Sequence, residues 1–166
     1  MARFTTFSIG SPYTVVSTVD SGSTVSTTGI TLLNSVLITG NTFNANDVVT
    51  IEGLVTKSNS LGTLTLYFYW NTSASLSGAI LLGTSATVVA ATRYYLIYRK
   101  LNIVNATNST VLAPTATVGN QDNSILSGAL STVAINWTSN GYIILAADHS
   151  SASENVVGQW IKVSNF

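Results

Sequence analysis

The sequence predicts an all-β protein, an antiparallel sandwich of two sheets with about eight to ten strands and a jelly roll as the leading topology. Three observations support this prediction. Apolar and polar residues alternate with a period of two through most of the chain. Gly, Asn, Asp or Ser residues interrupt the alternation at short intervals, as turns between strands do. No apolar pattern with the helical period persists long enough for a convincing helix.

The clearest strand covers residues 62–71. Its side chains divide into an apolar set and a polar or amphipathic set, so one set should point into a core and the other towards solvent or another subunit. The inward set is Leu64, Leu66, Phe68 and Trp70, and the outward set is Thr63, Thr65, Tyr67 and Tyr69. Residues 47–57 repeat the pattern, with Val49, Ile51 and Val55 on one face.

The same alternation predicts eight further strands. They cover residues 14–19, 30–38, 79–82, 94–104, 111–118, 133–137, 142–146 and 156–163. The strand at 94–104 is partly apolar on both faces, which is expected of a strand covered on both sides, and it places Arg99 and Lys100 on opposite faces. Asn140 and Gly141 tolerate the positive φ of tight turns, so they predict a hairpin between the strands on either side of them.

The chain divides into an N-terminal arm, residues 1–12, and a β-sandwich domain, residues 13–166. The arm carries apolar side chains without clean alternation and ends in Gly10-Ser11-Pro12, which breaks the chain before the first strand. Such an arm is suited to contacts with a partner protein. The expected contact residues are Arg3, Phe4, Phe7 and Ile9.

The composition predicts a surface that other protein copies cover. Charged residues make up 7% of the chain, against a usual share of about 25%. Six basic residues balance six acidic ones, so no strong field attracts nucleic acid or an anionic membrane. Proteins with little charge tend to associate. The absence of cysteine excludes disulfides, thiolate nucleophiles and zinc sites that use cysteine.

The N-terminal residues lack the apolar stretch of a signal peptide, and no apolar segment approaches the roughly 20 residues that span a bilayer. These features indicate a chain that is made in a cytoplasm and left there.

His149 is the one histidine, in the run Asp148-His149-Ser150-Ser151 close to Glu154. A metal site or a Ser-His-Asp constellation could use these residue types, but their spacing matches no zinc or calcium pattern. A solvated polar loop is the preferred interpretation, with Ca²⁺ held by Asp148 and Glu154 as an open alternative. Because no phosphate-binding loop, nucleophile elbow or metalloprotease helix is present, the sequence predicts no enzyme, no cofactor and no metal.

Tyrosines are the other residues with a candidate role. They are Tyr67, Tyr69, Tyr94, Tyr95, Tyr98 and Tyr142. Packing in the core or in an interface between subunits is preferred, and stacking on sugar rings is the alternative. The basic cluster of Arg93, Arg99 and Lys100 is divided between two strand faces, so nucleic-acid binding is not expected.

Three segments of the second half of the chain carry a likeness to known proteins. They are ATRYYLIYRKL at 91–101, INWTSNGYI at 135–143, and SENVV with the following IKV at 153–163. In strand rhythm they resemble the small β-sandwich proteins of tailed-phage particles, namely capsid decoration proteins, head fibres and tail-fibre tip domains, many of which are trimers. No motif of this group maps onto a receptor or ligand site, and the group has no catalytic residues to transfer.

The resemblance implies a non-enzymatic virion structural protein, assembled in the host cytoplasm. We expect a capsid decoration or cement protein, a homotrimer that binds the outer shell through the major capsid protein or another virion protein. The alternative is a receptor-binding head-fibre or tail-fibre tip module that recognises a cell-surface glycan. A major coat subunit of a small virus is a weaker possibility, because residues 1–12 contain only one basic residue, Arg3, where such a subunit would have a basic arm.

Overall fold

The computed structural model describes residues 14–17, 29–85, 87–112, 130–151 and 153–165. Within these residues the chain forms ten strands and no helix, so none of them belongs to a helix that could cross a membrane. The strands are β1 (Thr14–Ser17), β2 (Thr31–Ile38), β3 (Val48–Lys57), β4 (Leu64–Asn71), β5 (Ile80–Thr84), β6 (Tyr94–Asn105), β7 (Asn108–Leu112), β8 (Leu130–Ala134), β9 (Gly141–His149) and β10 (Val156–Asn165).

The strands form two sheets, and every pairing between them is antiparallel. One sheet has six strands in the order β1-β10-β3-β6-β7-β8, and the other has four in the order β2-β9-β4-β5. The prediction of an all-β, two-sheet antiparallel sandwich is therefore confirmed. Each predicted strand overlaps an observed one, although β7 begins at Asn108 and residues 113–118 of its predicted span lie outside the described residues.

The core lies between the inward faces of the two sheets, as the alternation predicts. Along β4 the inward set is buried and the outward set is only half-buried, with the exposed Thr63 just before the strand. Along β6 the inward residues Ile97, Leu101 and Ile103 are buried together with Arg99, while Lys100 is exposed on the opposite face. Burying these apolar side chains supplies the main driving force for folding, at about 25 cal/mol per Å² of apolar surface removed from water.

The predicted hairpin at Asn140-Gly141 is wrong. β8 belongs to the six-stranded sheet and β9 to the four-stranded sheet, so the chain crosses from one sheet to the other between them. Gly141 is needed for packing, because a Cβ at this position would overlap the ring of Trp70. The crossing segment contributes Trp137 to the core, where its ring centroid lies 4.8 Å from that of Trp70 and 5.4 Å from that of Phe43.

Candidate functional site

Three ionisable side chains lie together at one end of the sandwich, and we call them the ionic cluster: Lys57, His149 and Glu154. Lys57 is the last residue of β3, His149 is the last residue of β9, and Glu154 lies in the turn before β10. Their side chains are at most 1% exposed. Charged groups are rarely buried unless they are paired, so the contacts within the cluster explain how the fold tolerates it.

The carboxylate of Glu154 is the centre of the cluster. Oε2 lies 3.6 Å from Nζ of Lys57 and 2.7 Å from Nε2 of His149. The backbone N–H of Asn59 donates to Oε1 at 3.0 Å, and that of Gly62 donates to Oε2 at 3.0 Å. Both carboxylate oxygens therefore have partners, and the loop between β3 and β4 is fastened to the turn before β10.

The two bases of the cluster also bind backbone carbonyls. Nζ of Lys57 donates to the carbonyl of Gly62 at 2.6 Å and to that of Ala90 at 2.9 Å. Nδ1 of His149 lies 2.8 Å from the carbonyl of Ser151. The contact of Nε2 with Glu154 is short enough for an ion pair but lacks the alignment of a hydrogen bond. The backbone N–H of Ser151 lies 3.3 Å from the same Nδ1, so the residues that follow β9 are held against the ring.

The surroundings of Glu154 keep its carboxyl group ionised. Burial alone would raise its pKa, but the backbone N–H of Gly62, the charge of Lys57 and the contact with His149 act in the other direction and hold the pKa below its ordinary value. The side chains of the cluster are closed to solvent, although His149 also borders the groove described next. The evident role of the cluster is to fasten the loops at this end of the sandwich.

A groove of about 310 Å³ lies beside the ionic cluster. All six of its lining residues are of polar types, namely three threonines, a serine, an aspartate and the histidine of the ionic cluster, and their carbon atoms also contribute to its walls. The lining residues are Thr63, Thr65, Thr87, Asp148, His149 and Ser150. Thr65 and Asp148 are direct partners across β4 and β9, on the outward face of the four-stranded sheet. The groove therefore presents hydroxyl groups and one carboxylate.

Two tyrosines continue this surface along β4. The rings of Tyr67 and Tyr69 are stacked, with their centroids 6.0 Å apart and an angle of 26° between the rings. Burial raises the pKa of the Tyr67 hydroxyl, and the negative charge of Asp148 raises it further, while a contact with the Thr65 hydroxyl acts in the opposite direction. Burial, followed by the neighbouring Tyr67, raises the pKa of Tyr69. The tyrosine pair and the groove are thus parts of one surface.

The outward face of the six-stranded sheet presents apolar side chains, and we call the central three the docking face: Leu54, Leu96 and Trp160. Leu54 of β3 is the register partner of both Leu96 on β6 and Trp160 on β10, so the three form a row across three adjacent strands. Leu96 is 43% exposed, and the other two are partly exposed. Exposed apolar side chains grouped in this way are typical of a protein contact surface.

The prediction of a solvated polar loop around His149 is wrong. His149 is 2% exposed and Glu154 is fully buried, because each makes a charged contact that replaces water. The Ser-His-Asp alternative is not supported either. The hydroxyl of Ser150 accepts hydrogen bonds from the backbone N–H and the hydroxyl of Thr63, whereas the ring of His149 contacts Ser151 and Glu154.

The alternative of calcium held by Asp148 and Glu154 does not fit the structure. Asp148 lies on the outward face of β9, whereas Glu154 contacts His149 on the inward side of the same strand. In the part of the chain that the structure describes, no group of three or more histidine or acidic side chains could hold a metal ion. The proposed partner contacts of Arg3, Phe4, Phe7 and Ile9, with the whole arm at 1–12, lie outside the described residues.

Sequence reasoning missed Lys57 as a member of a buried cluster. The signal was present in the alternation of β3, because Lys57 has the same parity as the inward Val49, Ile51 and Val55. A lysine at an inward position requires a buried acid or carbonyl groups as partners. The acid, Glu154, is 97 positions further along the chain, and only the pairing of β3 with β10 brings the two together.

Comparisons with models of protein families, with curated proteins and with solved structures found no match for this chain. Its function is therefore inferred from the geometry of these surfaces and from the strand order.

Proposed function

We propose that this chain is a non-enzymatic structural protein of a tailed-phage particle, a decoration protein that covers the outer shell and stabilises it. The observation that carries this proposal is the docking face, a row of one exposed and two partly exposed apolar side chains at the centre of the larger sheet. The low charge of the chain supports the proposal, because a surface with few charges is suited to association with other copies.

The strand order supports a jelly roll, the topology common among viral coat proteins. When the β7–β8 pair at one edge is set aside, two four-stranded sheets remain, β1-β10-β3-β6 and β2-β9-β4-β5. The chain passes from one sheet to the other at every step from β1 to β4, and again from β9 to β10. We propose that the fold is a jelly roll with one hairpin added at the edge of the larger sheet.

The chemistry of the docking face favours a partner that is apolar and nearly uncharged. Beside the row, Nζ of Lys162 lies 3.1 Å from Oε2 of Glu52, so these two charges neutralise each other within the chain. A charged partner would gain little there, whereas burying the aliphatic and indole groups would contribute about 25 cal/mol per Å². A second copy of this chain, which has the same face, meets the requirement. We propose that copies associate through it on the shell.

The test is electron cryo-microscopy of particles assembled with and without this chain, together with their resistance to heating. We expect regular density over the shell, and we expect particles that lack the protein to release their genome at a lower temperature. Density confined to a tail tip or to sparse fibres, with unchanged shell stability and lost adsorption to cells, would contradict the decoration role and support the receptor-binding alternative.

A further inference from the structure

The outward face of the four-stranded sheet combines an aromatic pair with a polar groove, and neither feature is used by the docking face on the other sheet. We propose that Tyr67, Tyr69 and the adjoining groove form a binding site for a neutral oligosaccharide. The site is independent of the decoration role, because it lies on the other sheet and uses different residues.

The aromatic part of the site is held in place by the strand beneath it. Tyr67 and Tyr69 alternate along β4 with buried Phe68 and Trp70, so their positions on the surface are anchored by the core. Their rings are nearly parallel at 26°, and both are only partly buried. Tyrosine has an apolar ring and a polar hydroxyl, so it suits a ligand that is apolar on one side and hydrated on the other. The C–H groups on one face of a sugar ring supply the apolar side.

The polar part of the site supplies the groups that sugar hydroxyls need. Among the described residues no group donates a hydrogen bond to the carboxylate of Asp148, so it is available as an acceptor. The hydroxyls of Thr65 and Thr87 can donate or accept, and Thr63 already pairs with Ser150 at 3.1 Å. A ligand in the groove would therefore meet one strong acceptor among several hydroxyl groups.

The charge of the groove selects against anionic ligands. Among the described residues that line it there is no lysine or arginine, and Asp148 carries the negative charge that already raises the pKa of Tyr67. A phosphate, sulfate or acidic sugar would be repelled by this carboxylate, whereas a neutral polyol would satisfy it. The volume of about 310 Å³ is at the lower end of the roughly 300–1,000 Å³ found for small-molecule sites. A short segment of a neutral glycan, one ring in the groove and the next against the tyrosines, matches this shape and chemistry.

The experiment is an array of neutral hexose oligosaccharides, with sulfated and sialylated glycans on the same array, probed with the purified full chain. Titration calorimetry with the best neutral glycan then compares variants. We expect Tyr67→Ala and Tyr69→Ala each to weaken binding about tenfold or more. We expect Asp148→Asn to weaken it about tenfold to a hundredfold, because a hydrogen bond to a charged acceptor is lost.

Matched controls separate the site from general damage. Asp47→Asn makes the same charge change at the start of the other sheet, and Tyr94→Ala removes a tyrosine that is 74% exposed on that sheet. Both should bind the glycan as the wild type does. Tyr67→Phe, which keeps the ring and removes only the hydroxyl, should retain most of the affinity even if Tyr67→Ala fails to fold.

Absence of binding to any neutral glycan at millimolar concentration would overturn the proposal. Stronger binding to the acidic glycans would overturn it as well. So would neutral-glycan binding that Tyr69→Ala and Asp148→Asn both leave unchanged. None of these outcomes depends on whether the chain decorates a shell, so the two proposals can fail separately.

Discussion

At the scale of single residues, Glu154 is a charged group that water does not reach. Its two oxygens accept two backbone N–H donors and lie near two bases, so the cost of burial is offset by contacts that only the folded chain can supply. Such a group adds little net stability when it is complete, but the loss of one member leaves an uncompensated charge.

We therefore expect Glu154→Gln to lower the free energy of unfolding by about 3–5 kcal/mol, because Lys57 would remain buried without its counter-charge. Urea denaturation followed by circular dichroism measures this. Glu52→Gln is the matched control, since the Glu52–Lys162 pair is about one-third exposed on each side, and we expect it to cost less than about 1 kcal/mol. Equal losses for the two variants would show that the ionic cluster has no special role.

The same residue predicts how stability depends on pH. Burial acts to raise the pKa of Glu154, but Gly62, Lys57 and His149 together hold it below its ordinary value of 4.5. The unfolded chain therefore binds more protons than the folded chain as the pH falls, and acid favours unfolding. The contribution of Glu154 is complete above the pKa of the unfolded chain and is lost as the pH falls through the pKa of the folded state.

Melting temperatures measured from about pH 6 to about pH 3 test this. We expect the difference in melting temperature between the wild type and Glu154→Gln to become smaller as the pH is lowered. The comparison between the two proteins isolates Glu154, because the other carboxyl groups are common to both. A difference that stays constant over the whole range would be inconsistent with a lowered pKa.

At the scale of elements, alternation in the sequence predicted where the strands lie but not how they pair. The division of β4 into an inward and an outward face follows from the period of two, which any strand covered on one side must have. The pairing of β9 with β2 and β4 has no such local signal. Asn140-Gly141 has the chemistry of a hairpin turn, yet the ring of Trp70 requires a glycine at 141 for a reason that only the folded core reveals.

Gly141 supplies a prediction at this scale. In Gly141→Ala the new methyl group would overlap the ring of Trp70, which packs against Trp137 and cannot move without disturbing the core. We expect a loss of about 1–3 kcal/mol in the free energy of unfolding, as is typical of an overpacked core. Denaturation in urea measures the loss, and near-ultraviolet circular dichroism should show a change in the tryptophan signal.

The control is Gly29→Ala, because a Cβ at Gly29 would have no atom within 4 Å. We expect this variant to differ from the wild type by less than about 0.5 kcal/mol. If Gly141→Ala lowers the free energy of unfolding as little as Gly29→Ala does, Trp70 has room to move and the packing argument for Gly141 is wrong.

At the scale of the whole molecule, the two outward faces differ in character. The larger sheet presents a row of aliphatic and indole groups, and the smaller one presents tyrosines beside hydroxyls and a carboxylate. The period of two placed Tyr67 and Tyr69 on the outward face of β4, but the register shift between Gly158 and Trp160 in β10 hides the parity of Trp160. The sequence could not show that Leu54, Leu96 and Trp160 are adjacent, because their strands are separated by 42 positions between Leu54 and Leu96 and 64 between Leu96 and Trp160.

Association through the docking face can be tested with two leucines of nearly equal exposure. Leu96 is 43% exposed on the docking face, and Leu37 is 44% exposed on the other sheet. Sedimentation velocity over a range of concentrations should show that the wild type and Leu37→Lys associate alike. The dissociation constant of Leu96→Lys should be about a hundredfold higher than that of the wild type, or more. The reason is that an unpaired ammonium group in an apolar contact costs about 3 kcal/mol or more. A wild type that remains monomeric throughout, or an equal effect of both substitutions, would mean that copies do not meet through this face, and the apolar row would then need a different protein as its partner.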